Sequence, residues 1–241
     1  MRPDGRKPNE LRPVKITTGF ITHPEGSVLI ECGNTKVICN ATVEDSVPPF
    51  LKGSGKGWVT AEYSMLPRAT AQRTNRDISK LKLSPRSAEI QRLIGRALRS
   101  VTNLEKLGER SITIDCDVIQ ADGGTRCASI TGAFCALVLA LEELRKQGAF
   151  TSLPLYSYVA AVSVGILDGQ PICDLNYIED SSGEVDFNFI MDDEDNIIEL
   201  QGTGEERPFS KKELDDMYVL ASNAIKQLTG AQKQAVGHLF K

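Results

Sequence analysis

The residues best equipped for chemistry in this chain are two arginines at the starts of apolar helical runs and two aspartates in an acidic segment. The run Ala121-Asp122-Gly123-Gly124-Thr125-Arg126 joins an alternating stretch (Ile112, Ile114, Cys116, Val118) to a long apolar one that reaches Lys146. A strand-to-helix turn of this kind leaves unpaired N–H groups at the helix start, where the macrodipole favours an anion. Arg126 adds a planar fork suited to two phosphate oxygens. A bare tight turn accounts for the glycines equally well, because short glycine signals are weak. Arg86 favours the anion. It follows Ser84-Pro85, an N-cap with proline at the first helical position, and a cation in a first turn opposes the dipole unless an anion lies between them. An ordinary surface arginine is the alternative.

The acidic segment runs from Asp174 to Asn188. Counting by twos puts Asp174, Asn176 and Asp180 on one face of a strand, with Cys173, Leu175 and Tyr177 on the other. Pairing Asp180 with Asp186 across the turn would set their Cβ atoms about 5 Å apart. Like charges at that distance repel, and a divalent cation would remove the conflict; oxygen ligands suit magnesium or manganese. A solvated acidic turn is the other reading. Asp192-Asp193-Glu194-Asp195, before Asn196, is read as such a turn.

Basic residues crowd between Arg68 and Arg99, opposed there only by Asp77 and Glu89. Arg68, Arg73 and Arg76 fall in a polar stretch, Pro67 to Ser84, expected to be an exposed loop able to grip a polynucleotide backbone or simply to keep the chain soluble. Arg92, Arg96 and Arg99 recur at helical spacing and predict a salt-bridged or subunit-facing stripe.

The elements that must position these groups are legible in the hydrophobic pattern. Alternation from Val14 to Glu44, broken at Gly33-Asn34-Thr35, predicts antiparallel strands, and Trp58 to Tyr63 predicts a short one. Ile90, Leu93, Ile94, Ala97, Leu98 and Val101 predict a helix of about twenty residues after Ser84. A strand over Ile112 to Val118 and a helix to Lys146, closed by Gly148, come next. Val159 to Leu167, the turn Asp168-Gly169 and Ile172 to Glu179 predict a hairpin. Further strands are expected around Val185 to Met191 and Ile197 to Gln201, and Ser210-Lys211-Lys212-Glu213 is a capping box opening a last helix. Mixed strands with helices gathered on one face indicate an α+β architecture in a single domain, 1–241, built from two similar halves.

Composition narrows the function classes. The chain has 241 residues, 41% hydrophobic, enough to bury a core without staples. A net charge of −4 argues against a general nucleic-acid coat, yet one basic segment can act locally because screening confines the distant acids. Six cysteines without a Cys-x-x-Cys pair read as buried free thiols, and two histidines leave little for a histidine-based site. No apolar run of about 20 residues and no signal segment is expected, which predicts a cytoplasmic protein with no membrane. No Gly-x-x-x-x-Gly-Lys-[Ser/Thr] loop is present, so a kinase reading is poor.

Four runs carry a family resemblance: Met1-Arg2-Pro3-Asp4-Gly5-Arg6, Gly57 to Arg68 (GWVTAEYSMLPR), Glu89 to Leu98 (EIQRLIGRAL) and Cys116 to Arg126 (CDVIQADGGTR). Through them, along nearly its whole length, the chain resembles the RNase PH family of phosphorolytic exoribonucleases, related to polynucleotide phosphorylase and the exosome ring. The resemblance implies an RNase PH-like fold, of the type of the second domain of ribosomal protein S5. It implies that Arg86, Gly124, Thr125 and Arg126 bind inorganic phosphate as co-substrate, and that Asp180 and Asp186 are catalytic and hold a divalent metal. It further implies that Arg68, Arg73 and Arg76 hold RNA, that precursor tRNA 3′ ends are the substrate, and that subunits form a homohexamer as a trimer of dimers. Pro85, where the family has glycine, and Cys127, where a threonine is usual, depart from the pattern. Neither removes a charged group.

Overall fold

The computed structural model describes residues 2–76 and 82–240. Asp77 and Lys80 of the basic stretch, and Met1 of the first family run, lie outside the described residues. The first half is a five-stranded sheet ordered β1-β2-β3-β5-β4. It comprises β1 (Val14–Thr18), β2 (Gly26–Cys32), β3 (Thr35–Glu44), β4 (Trp58–Met65) and β5 (Ser111–Gln120), with α1 (Pro85–Ser100) and the short α2 (Leu104–Leu107) between the last two. β4 and β5 run parallel, the geometry that a helical crossover permits; the other pairs are antiparallel.

α3 (Thr125–Lys146) leads to the second half, a four-stranded sheet ordered β7-β6-β8-β9. Its strands are β6 (Val159–Leu167), β7 (Gln170–Cys173), β8 (Val185–Asp192) and β9 (Ile197–Gly204), with α4 (Tyr177–Asp180) after β7 and α5 (Lys211–Val236) at the end. The alternating apolar positions anticipated in β2, β3 and β5 all point inward: Val28, Ile30, Val37, Cys39, Ile112, Ile114 and Val118 are buried. Every cysteine is a buried free thiol, as expected.

α3 packs against β2 and β3 of one sheet and β6 of the other, so it is buried on nearly every side. This corrects the expectation that no run is apolar enough for a membrane. By length and composition Thr125–Lys146 could cross one, but 89% of its 18-residue apolar window is buried within the protein. Two sheets, not lipid, take up its surface.

Two element boundaries also differ from expectation, both through side-chain capping. α1 has 16 residues and stops at Ser100. The Thr102 hydroxyl there donates to the Leu98 carbonyl at 2.7 Å, and Asn103 caps a new helix by accepting from the Lys106 N–H. The predicted strand from Ile172 to Glu179 ends at Cys173. Asp174 takes a left-handed backbone, and Asn176 with Glu179 forms a capping box that opens α4. The hairpin of acidic residues is therefore a strand end, a turn and one helical turn. Counting by twos fails beyond Cys173 because these caps satisfy the backbone locally.

Candidate active site

The turn between β5 and α3 is held from inside: the Ala121 N–H donates to the Ala69 carbonyl at 2.9 Å and the Asp122 N–H to the Thr35 hydroxyl at 3.0 Å. Gly123 and Gly124 adopt φ of 73° and 63°, with Gly124 as the N-cap of α3. A Cβ at Gly123 would lie 2.5 Å from the Leu175 carbonyl oxygen, so only glycine lets the turn pass this close to the start of α4. The Thr35 hydroxyl donates to the Gly123 carbonyl at 2.7 Å, and Arg12 Nη1 donates to the Asp122 carbonyl. The first-turn N–H groups of a helix such as α3 have no intrahelical partners, which suits an anion at its start.

Thr125 is fixed from below: its hydroxyl shares a 2.9 Å hydrogen bond with the buried hydroxyl of Tyr63 on β4. Arg126 Nη1 donates to Gln201 Oε1 of β9 at 2.9 Å and lies 3.5 Å from Glu89 Oε1 of α1. Arg86, exposed in the first turn of α1, joins Arg126 in the surroundings of Tyr63, whose hydroxyl burial pushes above its usual range while both arginines pull it down. Both helix-start arginines thus lie within electrostatic reach of the Tyr63 hydroxyl.

Asp186 of β8 completes the group. It does not stand across a strand pair from Asp180; its register partners are Gly165 on β6 and Thr203 on β9, and Asp180 reaches it from α4. Burial pushes the Asp186 carboxyl up to about 6, and the Asp180 charge adds to that, whereas Arg126 and Arg86 pull it down. Asp180, Arg126 and Arg86, expected to act together with Asp186, are thus within electrostatic reach of this carboxyl. Asp186 Oδ1 is buried without a hydrogen-bond partner. An orphaned carboxylate oxygen beside a second carboxylate fits a hard divalent cation, which commonly takes one or two protein carboxylates and fills its remaining positions from water and phosphate oxygens. Among the described residues there is no cluster of three or more His, Cys, Asp or Glu side chains that could hold a metal by themselves.

The two halves are latched at this point by buried ion pairs. Arg12 donates from Nη2 to Asp174 Oδ1 at 2.6 Å and from Nε and its backbone N–H to Oδ2 at 3.0 and 2.7 Å. Arg2 makes a fork to Glu179 Oε1 and Oε2 at 2.7 and 2.8 Å, and Arg6 reaches both Asp174 and Glu179. Asp122 Oδ1 accepts from the Tyr177 N–H at 3.2 Å, tying the β5–α3 turn to the helix that carries Asp180. Beside the latch opens a groove of 1230 Å³ lined in part by Arg6, Arg12, Thr70, Gln72, Asp122 and Tyr177.

Comparison with known proteins shows the family of the chain. The family described as "3′ exoribonuclease family, domain 1" matches residues 10–141, and the corresponding domain 2 matches residues 157–224. The chain belongs to the 3′ exoribonuclease family. Within that family it is similar to Ribonuclease PH of Bacillus pumilus (strain SAFR-032), 62% identical over 242 residues and covering 100% of both chains. It is likewise similar to Ribonuclease PH of Bacillus subtilis (strain 168), 62% identical across 98% of this chain and 97% of the other. Among solved structures, rice (Oryza sativa) Rrp46 superposes with a TM-score of 0.78 at 20% identity, over 98% of this chain and 100% of its own. An Archaeoglobus fulgidus exosome with RNA bound to the active site gives 0.77 at 22% identity, over 95% and 91%. These remote likenesses establish the fold.

In this exoribonuclease family member, Gly124, Thr125 and Arg126 open α3, and Arg86, Arg126 and Asp180 all act electrostatically on Asp186. Arg68 and Arg73 are exposed in the loop after β4, where Arg73 donates to Asn75 at 3.1 Å; Arg76 is exposed too and acts on Asp117 of β5. The anticipated stripe divides: Arg96 pairs with Glu199, while Arg99 donates to the Val59 carbonyl and stacks on Trp58. Pro85 sits at the first position of α1, where no N–H is needed, and the Cys127 thiol donates to Asn188 Oδ1 at 3.2 Å. Sequence reasoning passes over Tyr63, Arg12, Gln201 and the partners of Glu89. Only Tyr63 carries a signal, as a phenol at an inward position of an alternating strand; the other pairings are non-local.

Proposed function

We propose that Asp180, Asp186, Arg86 and the Gly124-Thr125-Arg126 turn form the centre at which this phosphate-dependent 3′ exoribonuclease cuts RNA. The observation that carries the assignment is the buried, partnerless oxygen of Asp186, a carboxyl on which Asp180, Arg126 and Arg86 all act electrostatically.

Phosphorolysis must bring a phosphate anion against a phosphodiester anion, and two unit charges 4 Å apart repel by about 4 kcal/mol at an effective dielectric of 20. Arg86, Arg126 and the amides of the turn offset that repulsion and aim an oxygen of orthophosphate at the terminal phosphorus. As the new P–O bond forms, the bond to the 3′ oxygen of the preceding nucleotide breaks, releasing a nucleoside diphosphate and an RNA one residue shorter. Asp180 and Asp186 would hold a magnesium or manganese ion, which when bound supplies electrophilic stabilisation of charge on the departing oxygen. That oxygen takes up one proton, and Asp186 is the neighbouring carboxyl whose proton affinity is raised. Run backwards, the same contacts add nucleotides from diphosphates.

Arg68, Arg73 and Arg76 hold the RNA backbone on its way through the adjoining groove, and precursor tRNA 3′ extensions in the cytoplasm are the substrate. Subunits assemble as a ring of six built from dimers, as the family resemblance implies. The test is incubation of a tRNA carrying extra 3′ nucleotides with and without phosphate. Nucleoside diphosphates, appearing only with phosphate, are expected; monophosphates would overturn the proposal.

A further inference from the structure

Arg126, assigned above to phosphate, already has partners. Its Nη1 donates to Gln201 Oε1 at 2.9 Å and stands 3.5 Å from Glu89 Oε1. Gln201 is itself anchored, since its Nε2 donates to Glu89 Oε1 and to Glu199 Oε1, each at 3.1 Å. Glu199 in turn receives both prongs of Arg96 at 2.7 and 2.9 Å. This polar chain links α1, β9 and the first turn of α3. It lies at the rim of the site: the Arg126 side chain is 19% exposed and that of Glu89 44% exposed.

The two partners of Arg126 differ in what they do to an incoming anion. Gln201 is neutral and holds the fork in place, which lowers the ordering cost of binding. Glu89 carries the same sign of charge as phosphate and occupies the cation that phosphate needs. We propose that Glu89 is a resident counter-ion which orthophosphate must displace from Arg126, and that Gln201 is the positioning residue that keeps the guanidinium aimed at the site during the exchange. Phosphate affinity is then set by competition at the rim as well as by the ligands themselves. The inference rests on Arg126 being a phosphate ligand.

Two substitutions should move one constant in opposite directions. Glu89→Gln keeps the size and the acceptor for Gln201 but removes the charge, and the KM for phosphate falls by about two- to fivefold, the range spanned by exposed ion pairs. Gln201→Ala releases the fork, and the KM for phosphate rises. The gain from Glu89→Gln shrinks at high salt, because both pair and competition are screened. Equilibrium titration with inorganic phosphate, followed by its protection against thermal unfolding, reads the same change without catalysis. A merely structural Glu89 would lower the melting temperature and kcat without tightening phosphate. An unchanged or raised KM in Glu89→Gln overturns the proposal, provided Arg126→Lys still weakens phosphate. If Arg126→Lys leaves the phosphate KM untouched, the underlying ligand assignment fails first.

Discussion

Replacing Asp186 by asparagine should make the protein more stable and less active at once, and the size of the gain is set by where this carboxyl sits. Its folded pKa is raised from 3.8 to about 6, with burial as the leading cause. A raised carboxyl pKa means that the folded state binds the proton more tightly than the unfolded state does. The resulting penalty is absent below the unfolded value, grows as pH rises through the window between the two pKa values, and is complete above the folded one. A difference of roughly two units corresponds to about 3 kcal/mol. Asp186 keeps some solvent contact, and screening cuts this to about 1–2 kcal/mol. In a chain of 241 residues, that raises the melting temperature by about 2–4 °C. The assay is thermal unfolding of wild type and Asp186→Asn in chelator near pH 8 and again near pH 4, beside phosphorolysis of a 3′-extended RNA. Stabilisation near pH 8 that fades near pH 4, with turnover lost, is expected. A gain independent of pH, or none near pH 8, would refute the reasoning, since neutralising an isolated buried charge must show that dependence. Added magnesium should raise the melting temperature of the wild type and not that of the variant.

Arg86→Ala is expected to raise the KM for phosphate by about tenfold or more, the loss of one charge-assisted contact, with RNA affinity little changed in a filter-binding assay. Arg68, Arg73 and Arg76 replaced together by alanine should do the converse, raising the KM for RNA and flattening its salt dependence while the phosphate KM stays put. Glu179→Ala leaves Arg2 buried without its fork, and chemical denaturation should show a loss of about 3–5 kcal/mol. Lys211→Ala, which breaks the exposed Lys211–Asp215 pair, should fall within about 0.5 kcal/mol of wild type in the same experiment.

Much of the architecture can be read from local pattern. The alternation in β2, β3 and β5, the Ser84-Pro85 start of α1, the helix running to Lys146 and the capping box at Ser210 are all signals within a few residues of one another, and each appears where expected. Arg86, Gly124, Thr125 and Arg126 are legible for the same reason: a helix start announces itself locally. The segment after β7 is where local pattern misleads, because an Asn176–Glu179 capping box competes with extended backbone and looks like a polar strand when counted by twos.

The glycine turn, the two arginines and the two aspartates are thus visible in the sequence as residue types suited to a chemical purpose. Their meeting is not. Asp186 is brought to Arg126 by the placing of β8 against β6, and Asp180 by a one-turn helix fastened through Asp174 and Glu179 to arginines at the far end of the chain. Arg126 finds Gln201 across 75 positions of sequence and Arg2 finds Glu179 across 177. No periodicity records such contacts, because they are chosen by the packing of one sheet-and-helix layer on another. That packing also decides which carboxyl loses its water and holds its proton toward neutral pH.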